Sequence, residues 1–207
     1  MLKQNKNKKF VIGVTGIFGS GKSTVSAMLK SYGLKIIDAD KIARRYLFPG
    51  TKTYKKILNY FGKGILKKNN KIDRKKLGEL VFGNRQLLNK LNSIVHPKVI
   101  ADIKEGIRKS KEKVVVLDAP LLIESGLRRV VDDLIVVIIE RDELMRRLAR
   151  RATLKRQEIL KRIKSQIPQK VKSRLANFII DNSGTINETK KQVKKMMEKI
   201  EEGMWRN

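Results

Sequence analysis

The stretch FVIGVTGIFGSGKST, residues 10–24, decides the fold. Its first six residues are apolar and rich in β-branched side chains, the composition of a strand buried on both faces. Glycines crowd residues 16–21, and a helical pattern runs from Lys22 to Ser31. Gly16, Gly21, Lys22 and Ser23 satisfy the spacing G-x-x-x-x-G-K-[ST], with a strand before it and a helix after it. The chemistry explains the spacing. Glycines allow torsions that turn successive N–H groups towards phosphate oxygens, and the helix N-terminus adds its positive end. Lys22 is placed to bridge the outer phosphates and Ser23 to offer its hydroxyl to Mg²⁺. Gly16, Gly19, Ser20, Gly21, Lys22, Ser23 and Thr24 are therefore the candidate triphosphate loop. The loop alone leaves open who receives the phosphate, and whether the chain is a kinase, a GTPase or a motor.

Moving outward, Tyr32-Gly33 stops the helix, and LKII at 34–37 is a second buried strand ending in Asp38. The helix rises ~15 Å and the strand returns ~17 Å. The chain thus comes back to the sheet edge it left, giving a βαβ unit and a parallel sheet. Ligands of such sheets bind outside the carboxyl ends of the strands, where Asp38-Ala39-Asp40 is expected. Phosphoryl transfer to an alcohol needs a carboxylate beside the hydroxyl. The competing reading makes these acids caps of a helix over 41–47, and one of the two is expected to be such a cap. VVVL at 114–117 is a further strand, ending in Asp118, which reads equally as an acid holding Mg²⁺ through water or as a strand-terminal turn residue. Glu124 lies farther along the same loop. LIVVII at 134–139 and FII at 178–180 complete the strands. Thr185 and Glu188 form a capping-box pattern before a last helix, whose inward face is Val193, Met196, Met197 and Ile200, with fraying expected from Gly203.

Between the second and third strands, apolar residues recur at helical spacing: Tyr54, Ile57, Leu58 and Phe61; Leu77, Leu80 and Val81; Leu87 through Val95; Val99 through Ile107. Pro49-Gly50, Gly62-Lys63-Gly64, Asn69-Asn70 and His96-Pro97 are expected to break them. They read as an inserted helical subdomain. Residues 141–174 carry thirteen Lys/Arg against three Asp/Glu. Arg146, Arg147, Arg150 and Arg151 fall on a helix there, with Arg147 and Arg151 on one face. Such a face can close over a triphosphate as a lid. A solvated basic helix or a nucleic-acid patch is the other reading.

Composition narrows the classes. A length of 207 residues suits one compact domain or a core with an embedded subdomain. With no cysteine, disulfide scaffolds, thiolate metal sites and cysteine nucleophiles are excluded, and the single histidine, His96, excludes a multi-histidine zinc site. The net charge of +29 favours anionic partners, although a lysine-rich soluble surface accounts for it as well. Aromatics are 5%, too few for a base-stacking platform. No apolar run reaches the ~18 residues of a membrane helix, and the polar, basic start does not read as a signal peptide. A cytoplasmic protein without membrane attachment is expected.

Taken together, VTGIFGSGKST (14–24), IIDADKIAR (36–44), IDRKKLGELVF (72–82), LNSIVHPKV (91–99), LDAPLLIESG (117–126) and FIIDNSG (178–184) resemble the dephospho-CoA kinase family, from about Phe10 to Ile200. The resemblance implies an α/β P-loop kinase fold, a parallel sheet flanked by helices, with a helical acceptor insertion at 41–111, a lid at 146–174, and a core from 10–40, 112–145 and 175–202. It implies ATP with Mg²⁺ as donor and the ribose 3′-hydroxyl of dephospho-CoA as acceptor. Asp40 resembles the general base, and Lys22 and Arg151 complete the catalytic set. Arg147 and Asn182 line the ATP site. Arg74, His96, Leu121 and Glu124, with Asp40, line the acceptor site. No specific nucleic acid, membrane or obligate protein partner is implied. Ala152-Thr153 stands where the family often has Asp-Gly, and Ala176-Asn177 where it often has Ala-Asp. The rivals are another small-molecule or nucleotide kinase of the same fold and a nucleic-acid-binding P-loop protein. A kinase that transfers to a phosphate needs no carboxylate base, so Asp40 argues against a nucleoside-monophosphate kinase.

Overall fold

The computed structural model describes residues 9–150 and 156–205. Five strands, β1 (Phe10–Gly16), β2 (Lys35–Asp38), β3 (Val114–Asp118), β4 (Asp133–Ile138) and β5 (Phe178–Asp181), form one parallel sheet in the order β2-β3-β1-β4-β5. β1 lies at the centre, pairing Gly13 with Leu117 of β3 and with Leu134 of β4. The helices are α1 (Lys22–Ser31), α2 (Ala39–Arg45), α3 (Lys52–Phe61), α4 (Arg74–Phe82), α5 (Arg85–Lys109), α6 (Arg141–Arg150), α7 (Arg156–Lys164), α8 (Gln169–Arg174) and α9 (Ile186–Trp205). By compactness the chain divides into two units, Met1–Ile37 with Ile107–Asn207, and Asp38–Gly106.

In the first unit, alternation along each strand sorts the side chains to two faces. Ile12 and Val14 of β1, Val116 of β3, Ile135 and Val137 of β4 and Ile180 of β5 pack against Val25, Met28 and Leu29 of α1 and Val193, Met196, Met197 and Ile200 of α9. The inward face expected of the last helix is thus buried. The expected capping box closes its start: Glu188 Oε2 accepts from Thr185 N at 2.6 Å, and Glu188 N donates to Thr185 Oγ1 at 3.3 Å. The helix runs on through Gly203 to Trp205. Met197 and Ile200 anchor the preceding turn in the core. On the opposite face Gly13 leaves room for Leu122 and Val131, which an added Cβ would meet at 2.8 and 3.0 Å. Asn177, just before β5, ties that strand's entry to β4: its Oδ1 accepts from Leu134 N at 3.0 Å.

The second unit is helical. Tyr54, Ile57, Leu77, Val81, Val95, Val99 and Ile103 are buried on the inward faces of α3, α4 and α5. The Asn69-Asn70 turn puts Asn70 at φ 58, and an antiparallel bridge between Leu66 and Ile72 closes over it. The expected break at His96-Pro97 does not occur; α5 continues through Pro97 for 25 residues. Proline removes the bond to the carbonyl four residues back, here Ser93. Both Ser93 and Pro97 are on the exposed side, where water can serve that carbonyl. Val95, Val99 and Ile103, four apart, carry one buried stripe across the proline.

Candidate active site

β1 delivers the chain to the phosphate loop, and the glycines there are geometrically required. Gly19 and Gly21 have φ of 87° and 84°, a region that side chains other than glycine rarely adopt. A Cβ on Gly16 would meet Val137 O at 2.6 Å and Ser20 Oγ at 2.5 Å. A Cβ on Gly19 would strike Leu144 and Leu148 of α6, and one on Gly21 would strike Asn182. α1 begins at Lys22 with no side-chain cap and no acid in its first turn, leaving its positive end to an incoming anion. Ser23 is exposed in that turn. Ser20 Oγ is buried and has no hydrogen-bond partner among the described residues, and Thr24 N closes the first turn on Gly21 O at 2.8 Å.

Asp118, at the end of β3, is buried and holds two groups of this loop and helix. One oxygen pairs with the Lys22 ammonium, and the other accepts from Ser26 Oγ at 2.6 Å. Ser26 lies one turn beyond Ser23 and carried no signal in the sequence. Arg147 of α6 spreads its guanidinium in two directions, donating from Nε to Glu143 at 2.7 Å and from Nη2 to Asn182 O at 2.7 Å. The Arg147 bond also holds the Glu143 carboxyl below its ordinary range. Asn182 is buried: its Nδ2 donates to Ser20 O at 2.8 Å, and its Oδ1 accepts from Thr189 Oγ1 at 2.9 Å. It therefore fastens the phosphate loop to the start of α9. Arg151, the other expected lid arginine, lies outside the described residues.

The segment from Gln166 to Lys172 makes three further attachments. Gln166 Oε1 accepts from Phe18 N of the phosphate loop at 2.8 Å. Gln169 bonds both the N–H and the carbonyl of Ile139, each at 3.0 Å. The side chain of Lys172, on α8, has no solvent exposure. Its ammonium donates to Pro120 O at 2.7 Å and to the two Glu124 oxygens at 2.9 and 3.1 Å. Glu124 also accepts from Ile167 N at 2.9 Å. Both oxygens of this expected acceptor-site acid are thus engaged within the protein, while Leu121 on the same loop is exposed. Burial lowers the Lys172 pKa from the lysine norm; the Glu124 hydrogen bond and charge oppose this, and the Lys22 ammonium adds to it. Lys172 was hidden among thirteen basic residues. The available signal was a polar stripe, Gln166, Gln169 and Lys172 at three-residue intervals around Pro168.

The second unit carries the remaining candidates. Asp38 is the cap of α2, its side chain accepting from Lys41 N at 2.8 Å. Asp40 lies exposed in the first turn of α2. Arg74 is the exposed first residue of α4, and His96 is half-buried on α5. Burial lowers the His96 pKa, favouring the neutral ring.

A parallel sheet with a glycine loop between its central strand and the next helix, a buried strand-end acid on the loop lysine, and a helix packed over the loop define a P-loop kinase fold. Shikimate kinase from Bacteroides thetaiotaomicron shares this fold at a TM-score of 0.51 and 17% identity, over 93% of this chain and 98% of that one. The family model for dephospho-CoA kinase matches residues 10–188, and the chain belongs to that family. A dephospho-CoA kinase of Carboxydothermus hydrogenoformans is 45% identical over 192 residues, 91% of this chain and 93% of the relative. The solved dephospho-CoA kinase of Campylobacter jejuni matches at a TM-score of 0.67 and 33% identity, covering 93% and 98% of the two chains.

Proposed function

We propose that the protein transfers the γ-phosphoryl group of ATP to the ribose 3′-hydroxyl of dephospho-CoA, giving coenzyme A and ADP. The observation that carries this reading is the family match across residues 10–188, joined to a phosphate loop whose Lys22 is paired with the strand-end acid Asp118. On this reading the loop N–H groups and the α1 N-terminus take the phosphates of ATP. Lys22 exchanges Asp118 for the outer phosphates, and Arg147 neutralises charge at the same end. Asp40 orients the ribose hydroxyl and accepts its proton as the new P–O bond forms and the bond to ADP breaks. Arg151 is assigned to the lid, and Arg74, His96 and Leu121 to the acceptor. Glu124 shapes the acceptor loop through its ion pair.

The Ser23 hydroxyl and the Asp118 carboxylate fit Mg²⁺, which favours one or two oxygen ligands plus substrate phosphates over a protein-built cage. Among the described residues no cluster of three or more acids or histidines could hold a metal by itself. When bound with ATP, Mg²⁺ would neutralise charge on the phosphate oxygens. Among the described residues no helix is long and apolar enough to cross a membrane. We read the enzyme as cytoplasmic because its donor, ATP, is an intracellular metabolite, and as needing no nucleic-acid or protein partner because both substrates are small. The test is a panel of acceptors with Mg·ATP. Dephospho-CoA should be phosphorylated far faster than AMP, adenosine or pantetheine; equal turnover of AMP would favour a nucleotide kinase.

A further inference from the structure

We infer that Lys172 is a positioning residue for phosphoryl transfer: its buried ammonium holds the loop after β3 against the end of β1, and so fixes Asp118 where it meets Lys22. This rests on the phosphotransfer reading above. A lysine with no exposed side-chain surface is rare unless paired. Here it is paired at the point where the two segments that build the site leave the sheet. Thr15 is the residue before Gly16, and its hydroxyl donates to Pro120 O at 2.9 Å. Lys172 Nζ donates to the same carbonyl at 2.7 Å and lies 3.5 Å from Thr15 Oγ1. Ala119, between Asp118 and Pro120, donates its N–H to Val14 O at 3.0 Å. The backbone on either side of Asp118 is therefore tied to β1, and Lys172 supplies one of those ties. Its second partner, Glu124, is held in turn by Ile167 N, just before α8. One cation thus joins the approach to the phosphate loop, the loop after β3 and the segment leading into α8. Lys172 touches no reacting atom on this account. It acts through Pro120 and Glu124, and its effect belongs to the alignment of the catalytic groups.

Removing only one member of a buried ion pair leaves an uncompensated charge and destabilises the fold, whereas replacing both is often neutral. That difference separates positioning from stability. The variants are Lys172→Met and the double variant Lys172→Met/Glu124→Gln, in which the amide oxygen can still accept from Ile167 N. Rates are measured below the thermal midpoint of every variant and referred to the folded fraction. Lys172→Met should lower the midpoint, and the double variant should regain much of that loss. In both, kcat for dephospho-CoA should fall by about 10²-fold, the scale of a small misalignment of reacting groups, with the KM for ATP little changed. Wild-type turnover in the double variant, or a loss confined to the KM for ATP, would overturn the assignment. The wild-type enzyme runs in parallel: failure of wild type to phosphorylate dephospho-CoA counts against the proposed function, while normal turnover by the double variant counts only against Lys172.

Discussion

Asp40 and Lys22 carry opposite ends of the proposed reaction, and substitution should separate them. Asp40→Asn keeps the shape of the side chain and removes the proton acceptor. Because a positioned base contributes ~10²–10⁴-fold, the single-turnover rate should fall by that order while ATP affinity is nearly unchanged. Lys22→Ala removes a phosphate ligand and also leaves buried Asp118 without its cation, so it should damage both ATP affinity and rate. Near-normal turnover of Asp40→Asn would remove it from the chemistry. At this scale the phosphate loop was legible because glycine geometry and lysine chemistry are written in adjacent positions. The roles of Asp38 and Asp40 were not separable by spacing, since both are aspartates and either can cap a helix. The bond from Lys41 N to Asp38 divides them. Ser26 and Lys172 stayed hidden for another reason: their partners, Asp118 and Glu124, are 92 and 48 residues away.

Among the elements, α5 departs most from its sequence pattern. The rule that proline ends a helix describes a local cost, and burial of Val95, Val99 and Ile103 along one face offsets it. The start of α9 shows the converse, where the capping box of Thr185 and Glu188 and the buried stripe from Val193 agree. His96 sits in the middle of α5, where burial depresses its pKa below the ordinary histidine value. The unfolded chain therefore binds a proton more readily than the folded one. Stability from this group is complete above the unfolded value of about 6.5 and is lost as pH falls from there through the lower folded-state pKa. Urea unfolding of wild type and His96→Phe across mildly acidic to neutral pH checks the sign. The stability of wild type relative to the variant should decline on acidification, and a difference independent of pH would show that His96 makes no such contribution.

For the molecule as a whole, a parallel sheet was readable from short β-branched runs alternating with helices, because strands buried on both faces leave an almost continuous apolar signature. The strand order was not, since sequence periodicity carries no information on which strand neighbours which. The net charge of +29 should produce weak binding to RNA and DNA that falls steeply with salt and shows no sequence preference, as counterion release requires. Titration at low and physiological salt measures it; tight, sequence-selective binding at physiological salt would revive a nucleic-acid function. The same charge suits two polyanionic substrates, one with a triphosphate and one with a pyrophosphate. The proposed reaction is regiospecific: one phosphate passes from ATP to one hydroxyl of dephospho-CoA. Phosphorus NMR of the completed reaction tests it most directly. The expected products are ADP and a new phosphomonoester on the ribose 3′-oxygen in equal amounts, with the pyrophosphate of the acceptor intact. ADP formed with inorganic phosphate and no new ester, or a phosphate placed at another position, would contradict it.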